Sequence, residues 1–311
     1  MSDLRKAADE YLRMRRGLGF KLYEPGLLLG QFVRFLEMEG VTFVTRELAL
    51  RWAVQPENCS RAHWAKRLGV VRQFAEYQSA ADPRTEVPSQ DLIPYKYRRR
   101  TPYIYSEKEI LRLLDAAQGL PSPTGLRALT YSTLFGLLAV TGMRVGEAVH
   151  LDREDVNLGE GLLTIRHTKY ERPRWIPVHS STRNALRAYA SRRDHLCPRP
   201  QMDRFFLAEN HGSLTLSIAE WTFRKLSQLI GLRGPEDRCG PRIHDLRHTF
   251  AVRTLQSWYR SGRNVEQHLP KLSTYLGHVH VSDTYWYLTG TPELLRWAAK
   301  RVDSAKKGMP S

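Results

Sequence analysis

The sequence predicts a mainly α protein with a small antiparallel sheet, arranged as an N-terminal helical bundle followed by an α+β domain. Three observations carry this. Apolar residues recur at helical spacing through the first ~80 positions, with polar caps and glycine stops between the runs. A basic stretch punctuated by Pro83, Pro88, Pro94 and Pro102 then breaks the pattern. Beyond it the helical signal resumes, interrupted once by two short β-like runs. A length of 311 residues suits two domains, which we draw at 1–80 and 105–311 with 81–104 as a linker.

The elements follow in order. Leu4, Ala7, Ala8, Tyr11 and Leu12 make one helical face, ended by Gly17 and Gly19. A second helix is expected from Glu24 to Met38, with Leu28, Phe32, Phe35 and Leu36 inward and Gly40 closing it. Thr45 and Ser60 are expected to cap a third and a fourth, because a side-chain oxygen there can accept from an orphan N–H of the first turn. Arg61, Lys66, Arg67 and Arg72 fall on the expected outer face of the fourth. In the second domain Ser106–Glu109 reads as a capping box. Leu126–Val140 is apolar nearly all round and should be a buried helix that Gly142 stops, before a short restart over Val145–Leu151. Leu162–Ile165 and Trp175–Val178 should form a hairpin across HTKYER (167–172). Helices are expected over Thr182–Arg192, Ser217–Ile230, His244–Tyr259, Lys271–Leu276 and Thr291–Val302.

Composition narrows the function. The 48 Lys and Arg against 32 Asp and Glu leave a net charge of +16. Residues 1–100 carry 18 basic and 12 acidic side chains, so both domains are basic and no local tail supplies the excess. Such a balance points to a polyanionic partner, since each phosphate neutralised by Lys or Arg releases condensed counterions. Lys96, Arg98, Arg99 and Arg100 concentrate charge in the linker, interleaved with Tyr95 and Tyr97, and could track a phosphate backbone. The longest apolar run, near Leu134–Val140, is far short of the ~20 residues that span a bilayer. The charged N-terminus lacks a signal-peptide core. Cys59, Cys197 and Cys239 are too few and too scattered for a disulfide framework. The expected location is the cytoplasm, on the nucleoid.

Phosphate-loop, dinucleotide-binding and paired C-x-x-C patterns are absent from the sequence. His244 and His248, at i and i+4, imitate a zinc-binding helix, but Arg247 between them would repel the cation. As a phosphate site the same helix makes better sense: His244 and Arg247, at i and i+3, offer an imidazole and a forked guanidinium to one anion.

More pieces follow in fixed order: TGMRVGE (141–147), Lys169 on the hairpin, HDLRH (244–248), LGH (276–278), and Tyr287 nine residues beyond His278. This series over ~105–300 resembles the tyrosine recombinase (phage integrase) family, and the N-terminal bundle resembles that family's core-binding domain. The resemblance implies a site-specific DNA recombinase. Arg144 and Arg247 would clamp the scissile phosphate, Lys169 would protonate the leaving 5′-oxygen, and Tyr287 would be the nucleophile. His244 would take the His/Lys position and His278 the His/Trp position, with Glu147 and Asp245 orienting arginine and histidine. It further implies a 3′-phosphotyrosyl intermediate formed without metal or ATP, a homo-tetramer on paired DNA sites that can be a monomer when free, and a C-shaped clamp around duplex DNA.

The chemistry independently asks for these residue types. A phenol of pKa ~10 is only about one part in a thousand ionised at pH 7. Clustered cations favour the phenolate and stabilise the extra charge of a pentacoordinate transition state. The leaving alkoxide requires a general acid, and a lysine of lowered pKa suits it.

Several points stay open on the sequence. Tyr285 competes with Tyr287, and Arg166, Arg172 or Arg174 could replace Lys169. Residues 256–270 read as an insertion, either a DNA or subunit contact or a plain surface loop. The tail beyond Thr289 could dock on a neighbouring copy or on its own domain. Integration, transposition and resolution of a mobile element are not distinguished. A nicking-closing enzyme of the type IB topoisomerase kind and a non-catalytic DNA-binding regulator remain as rivals.

Overall fold

The computed structural model describes residues 3–95, 100–166, 173–200, 202–237, 239–289 and 296. Two compact units divide at Arg100 and Thr101.

The first unit is built on four helices: α1 (Asp3–Gly17), α2 (Tyr23–Met38), α3 (Arg46–Val54) and α4 (Arg61–Gln78). Thr45 accepts from the Leu48 N–H and Ser60 from the His63 N–H, so both expected caps form. Leu29, Phe32, Leu36, Trp52, Leu68 and Phe74 fill the core, where the Phe32 and Trp52 rings meet at 5.1 Å. The expected linker differs in its first half. Thr85 and Ile93 are buried, and the Glu86 N–H donates to the Val44 carbonyl. Two apolar anchors, Val87 and Ile93, pack this stretch onto the bundle, which its prolines did not reveal.

In the second unit the Ser106 capping box opens α5 (Glu107–Gln118), which lies against the buried α6 (Leu126–Thr141). Gly142, at φ +61°, ends α6; a Cβ there would sit 2.5 Å from the Phe250 ring, so only glycine fits the turn. The one-turn α7 (Val145–Val149) follows. The sheet has three antiparallel strands in the order β1 (Val156–Asn157), β2 (Leu162–Ile165), β3 (Arg174–Pro177), with Leu163 opposite Ile176. The short first strand is additional to the expected hairpin. Helices α8 (Ser180–Leu196), α9 (Leu216–Leu229), α10 (Asp245–Arg260), α11 (Val265–Leu276) and α12 (Ser282–Thr289) complete the described elements. The main core gathers around Leu134, Phe135 and Leu138, with Phe135 edge-on to Phe223.

A separate cluster, Val252, Leu255, Val265, Leu269, Leu272, Leu276 and Tyr287, binds α10, α11 and α12 together. Residues 256–270 are thus no loop. They comprise the end of α10, a turn at Gly262 and the start of α11, which runs through Pro270 because Val265, Leu269, Leu272 and Leu276 keep one face buried. Apart from Arg296, the helix expected over 291–302 lies outside the described residues.

Candidate active site

The site is organised by the C-terminal turn of α11. Gly277 adopts φ +68° as the C-cap, its N–H reaching the Thr274 carbonyl while the His278 N–H reaches that of Ser273. This closing motif satisfies two of the last four helix carbonyls. The other two are taken by arginines: Arg174 Nε donates to the Tyr275 carbonyl at 2.9 Å and Arg247 Nη2 to that of Leu276 at 2.6 Å. One step further, Arg144 Nη2 donates to the Gly277 carbonyl at 3.0 Å. Three consecutive carbonyls therefore hold three guanidinium groups, at the end of the helix where the macrodipole favours cations.

Each arginine comes from a different element. Arg144 stands at the N-cap of α7, where the Glu147 carboxylate accepts from both its backbone N–H and its Nη1, each at 2.8 Å. Arg247 lies in the first turn of α10, only 2% exposed. Its Nη1 donates to the carbonyl of Gly142 at 3.0 Å, and its charge lies within electrostatic reach of the Tyr287 phenol. Burial pulls Arg247 down to about 10, so it stays charged at neutral pH. Arg174, at the start of β3, grips Glu147 with a two-pronged pair of 3.0 and 2.7 Å. Burial alone would raise the Glu147 carboxyl, but Arg174 and then Arg144 outweigh it and hold the group below its ordinary value. Two of the three cations thus share one carboxylate while Arg247 is held by carbonyls, an imbalance that an anion would relieve. The Arg144 side chain, 31% exposed, gives that cluster an opening to solvent.

Tyr287 and Tyr285 are separated by helical phase. On α12 Tyr287 is 2% exposed and Tyr285 is 52% exposed. The Tyr287 ring stacks on His278, with centroids 5.9 Å apart and planes 20° apart, and lies 5.3 Å from the His248 ring. His278 Nδ1 sits 2.8 Å from the Thr284 hydroxyl, one helical turn before Tyr287, so one short helix supplies both the phenol and the group that orients the imidazole against it.

His244 is at the N-cap of α10, its ring edge-on to His248 at 5.0 Å. The residue as a whole is exposed to solvent. Lost hydration, followed by the neighbouring His248, Arg247 and Arg242, lowers it to about 4, and the cationic neighbours persist however wet the site is. His244 is therefore a neutral imidazole at pH 7. Among the described residues the hydrogen bonds of the Asp245 carboxylate go to the N–H and guanidinium of Arg242, not to a histidine; Asp245 acts on His244 through its charge.

Arg144, Arg247, His278 and Tyr287 are thus brought together, with Glu147 behind the arginines and His244 joined through His248. Lys169 and the rest of 167–172 lie outside the described residues. Of the arginines that could replace Lys169, Arg166 pairs with Glu154 and Asp155. All three nitrogens of Arg174 are engaged, so it is a tether rather than a proton donor. Three contributors escaped the sequence reading of roles: Arg174 as a tether, Thr284, and His248 as a wall of the tyrosine pocket. For Arg174 a signal existed, since strand alternation puts it on the same face as buried Ile176.

On α4 one expectation is corrected. Arg67 points inward: its guanidinium lies 3.6 Å over the Trp52 ring, and Nη2 donates to the Trp52 carbonyl at 2.7 Å. It packs the bundle and is not available to a DNA backbone. Arg61 and Lys66 are exposed, Lys66 pairing with Glu24. Lys96, Arg98 and Arg99 lie outside the described residues, whereas Arg100 is described and exposed. Among the described residues no group of three or more His, Cys, Asp or Glu could hold a metal ion, and no helix is long and apolar enough to cross a membrane.

Fold and site define a class, the mostly helical catalytic domain of a tyrosine recombinase. The phage integrase family model matches residues 104–293. Over 307 residues the chain is 48% identical to a putative integrase/recombinase, y4rB, of Sinorhizobium fredii, covering 97% of this chain and 98% of that one. It is 29% identical over 231 residues to the tyrosine recombinase XerD of Caulobacter vibrioides, covering 73% and 70%. Among solved structures, the Tn1549 transposon integrase in complex with transposon right-end DNA aligns with a TM-score of 0.65 at 17% identity, covering 96% of this chain and 99% of that one. XerH bound to its palindromic difH substrate aligns at 0.64 and 17% identity, covering 91% and 79%. The chain belongs to the phage integrase family, a family of DNA strand-transferring enzymes.

Proposed function

We propose that this chain cleaves and rejoins duplex DNA at specific sites through a 3′-phosphotyrosyl intermediate, with Tyr287 as the nucleophile. The observation that carries the reading is the buried Tyr287 side chain, within electrostatic reach of Arg247 and walled by His278 and His248, while Tyr285 faces outward. Arg144, with its solvent opening, and Arg247 would receive the scissile phosphate and stabilise charge as it develops on the non-bridging oxygens. The phenol oxygen would attack phosphorus as the 5′-oxygen leaves, and Lys169 would supply the proton to that oxygen. His244, neutral at pH 7, can accept a proton without first losing one. Because the phosphotyrosyl ester keeps the energy of the broken bond, a 5′-hydroxyl from another strand can reverse the attack.

Exchange between two duplexes takes four nucleophiles, hence four copies of the chain. Likeness over nearly its whole length to a putative integrase/recombinase supports a role in moving, integrating or resolving a mobile element. Arg61, Lys66 and Arg100 are the described cations we assign to DNA outside the catalytic cluster.

The test uses duplexes from the DNA flanking the gene, nicked near the suspected site so that the cleaved end diffuses away. Each is incubated with protein in EDTA and resolved on a denaturing gel. A covalent adduct formed by wild type and by Tyr285→Phe, and lost in Tyr287→Phe, is expected. Loss in Tyr285→Phe alone would overturn the assignment of the nucleophile. Tight, salt-sensitive binding with no adduct on any flanking duplex would favour a non-catalytic DNA binder.

A further inference from the structure

We propose that Arg174 is a positioning residue for strand cleavage, holding Arg144 and the C-terminal turn of α11 in register; the inference rests on the function proposed above. Arg174 spans three elements. It belongs to β3, its two terminal nitrogens are spent on Glu147 of α7, and its Nε is spent on the Tyr275 carbonyl of α11. Through Glu147 it fixes Arg144, because that carboxylate holds both the backbone N–H and Nη1 of Arg144. Through Tyr275 it fixes the turn whose next two carbonyls seat Arg247 and Arg144, and from which His278 projects onto Tyr287.

Arg174 is also the first residue of β3, immediately after the segment that carries Lys169. One guanidinium therefore ties the start of β3 to the elements that hold Arg144 and Arg247. Lysine cannot serve here, since a single ammonium cannot bridge both oxygens of Glu147 and also reach the Tyr275 carbonyl.

Gly277 shows how closely the turn is fitted to this side chain. A Cβ at position 277 would lie 2.8 Å from Arg174 Nη1 and 3.0 Å from its Cζ, and the backbone there is at φ +68°. The far end of an arginine can ordinarily swing aside, but this one is pinned by three hydrogen bonds. The absence of a side chain at 277 is thus a condition for Arg174 to reach Glu147. Gly277→Ala should displace Arg174 and also strain the left-handed turn itself, so only part of its effect on cleavage runs through Arg174.

The experiment compares wild type, Arg174→Lys, Arg174→Ala, Gly277→Ala and the double variant Arg174→Ala/Gly277→Ala on the nicked flanking duplex. It reads single-turnover adduct formation, DNA affinity at fixed salt, and thermal midpoint. For Arg174→Lys we expect cleavage to slow at least about tenfold while affinity changes less than about twofold, with Arg174→Ala slower still. Adding Gly277→Ala to Arg174→Ala should slow cleavage by a smaller factor than Gly277→Ala does in wild type, because the clash with Arg174 is gone and only the strain of a side chain at φ +68° remains. Wild-type cleavage by Arg174→Lys would overturn the inference while leaving the nucleophile assignment intact. Parallel loss of rate, affinity and thermal midpoint in both Arg174 variants would make the residue merely structural and would also overturn it. If wild type forms no adduct on any flanking duplex, the functional reading itself fails, and this inference with it.

Discussion

Replacing Arg247 by lysine tests the centre of the site. The native guanidinium donates to the carbonyls of Gly142 and Leu276 and lies within electrostatic reach of Tyr287, from a position 2% exposed. A lysine keeps the charge but has one nitrogen on a flexible stem, so it can hold one or two of these partners and not the planar set. Hydrogen bonds to a charged group contribute ~1.5–3 kcal/mol each, and a buried carbonyl left without a donor costs ~1–3 kcal/mol. The stability loss should be about 1–3 kcal/mol, a fall of a few degrees in thermal midpoint for a unit of this size. The catalytic loss is set by the bonds that strengthen as charge develops on the phosphate. Removing one such forked contact amounts to ~3–4 kcal/mol, or about 100- to 1000-fold in rate. The assay is single-turnover cleavage of the nicked duplex in EDTA, with binding measured on the same duplex at the same salt. Affinity should change far less than rate, since the remaining cations still neutralise phosphates. Cleavage within about threefold of wild type would refute the argument, because it would show that the fork itself contributes nothing in the transition state.

Two further outcomes follow from the same geometry. His244 is held at about 4 against an ordinary 6.5, so between those values the unfolded chain binds a proton that the folded chain refuses. Stability should therefore be full above about pH 6.5 and fall as pH drops toward about 4. Glu147, held below its ordinary 4.5, should add a further loss at still lower pH. In thermal melts across this range His244→Asn should flatten the limb above pH 4.5, and an unchanged slope would refute the assignment. Arg67→Ala should lower the melting temperature of the N-terminal unit by removing a buried bond and a cation–π contact together worth ~2–4 kcal/mol. It should leave the salt slope of DNA binding unchanged; a slope reduced by about one would mean that Arg67 does meet a phosphate.

How far the sequence reading reached can be seen element by element. The helices with strong caps and periodic apolar faces were legible, because Thr45, Ser60 and Ser106 act on N–H groups within their own first turn. The start of α11 was not, because Pro270 is a local signal for a break while the burial of Val265 and Leu269 is a tertiary one. Arg67 was misread for another reason. Its charge argued for the outer face, although its spacing to Val71 and Phe74 puts it on the buried one, where the Trp52 ring from another helix receives it. Tyr287 was favoured over Tyr285 by spacing from His278, and burial in the α10–α12 cluster separates the two in the fold.

The residue types of the site and their order along the chain were legible before folding, because residue chemistry and local spacing are properties of the chain. The mainly helical class was legible in the same way, through periodicity and capping. Which carbonyl each arginine holds was settled by folding. Arg144, Arg174 and Arg247 come from places far apart in the chain and meet on three consecutive carbonyls at the end of one helix. That assignment depends on Gly277 turning left-handed and on Glu147 being buried between two cations. The glycine turn is a local helix stop, but the burial of Glu147 is settled by residues that become neighbours only when the chain folds.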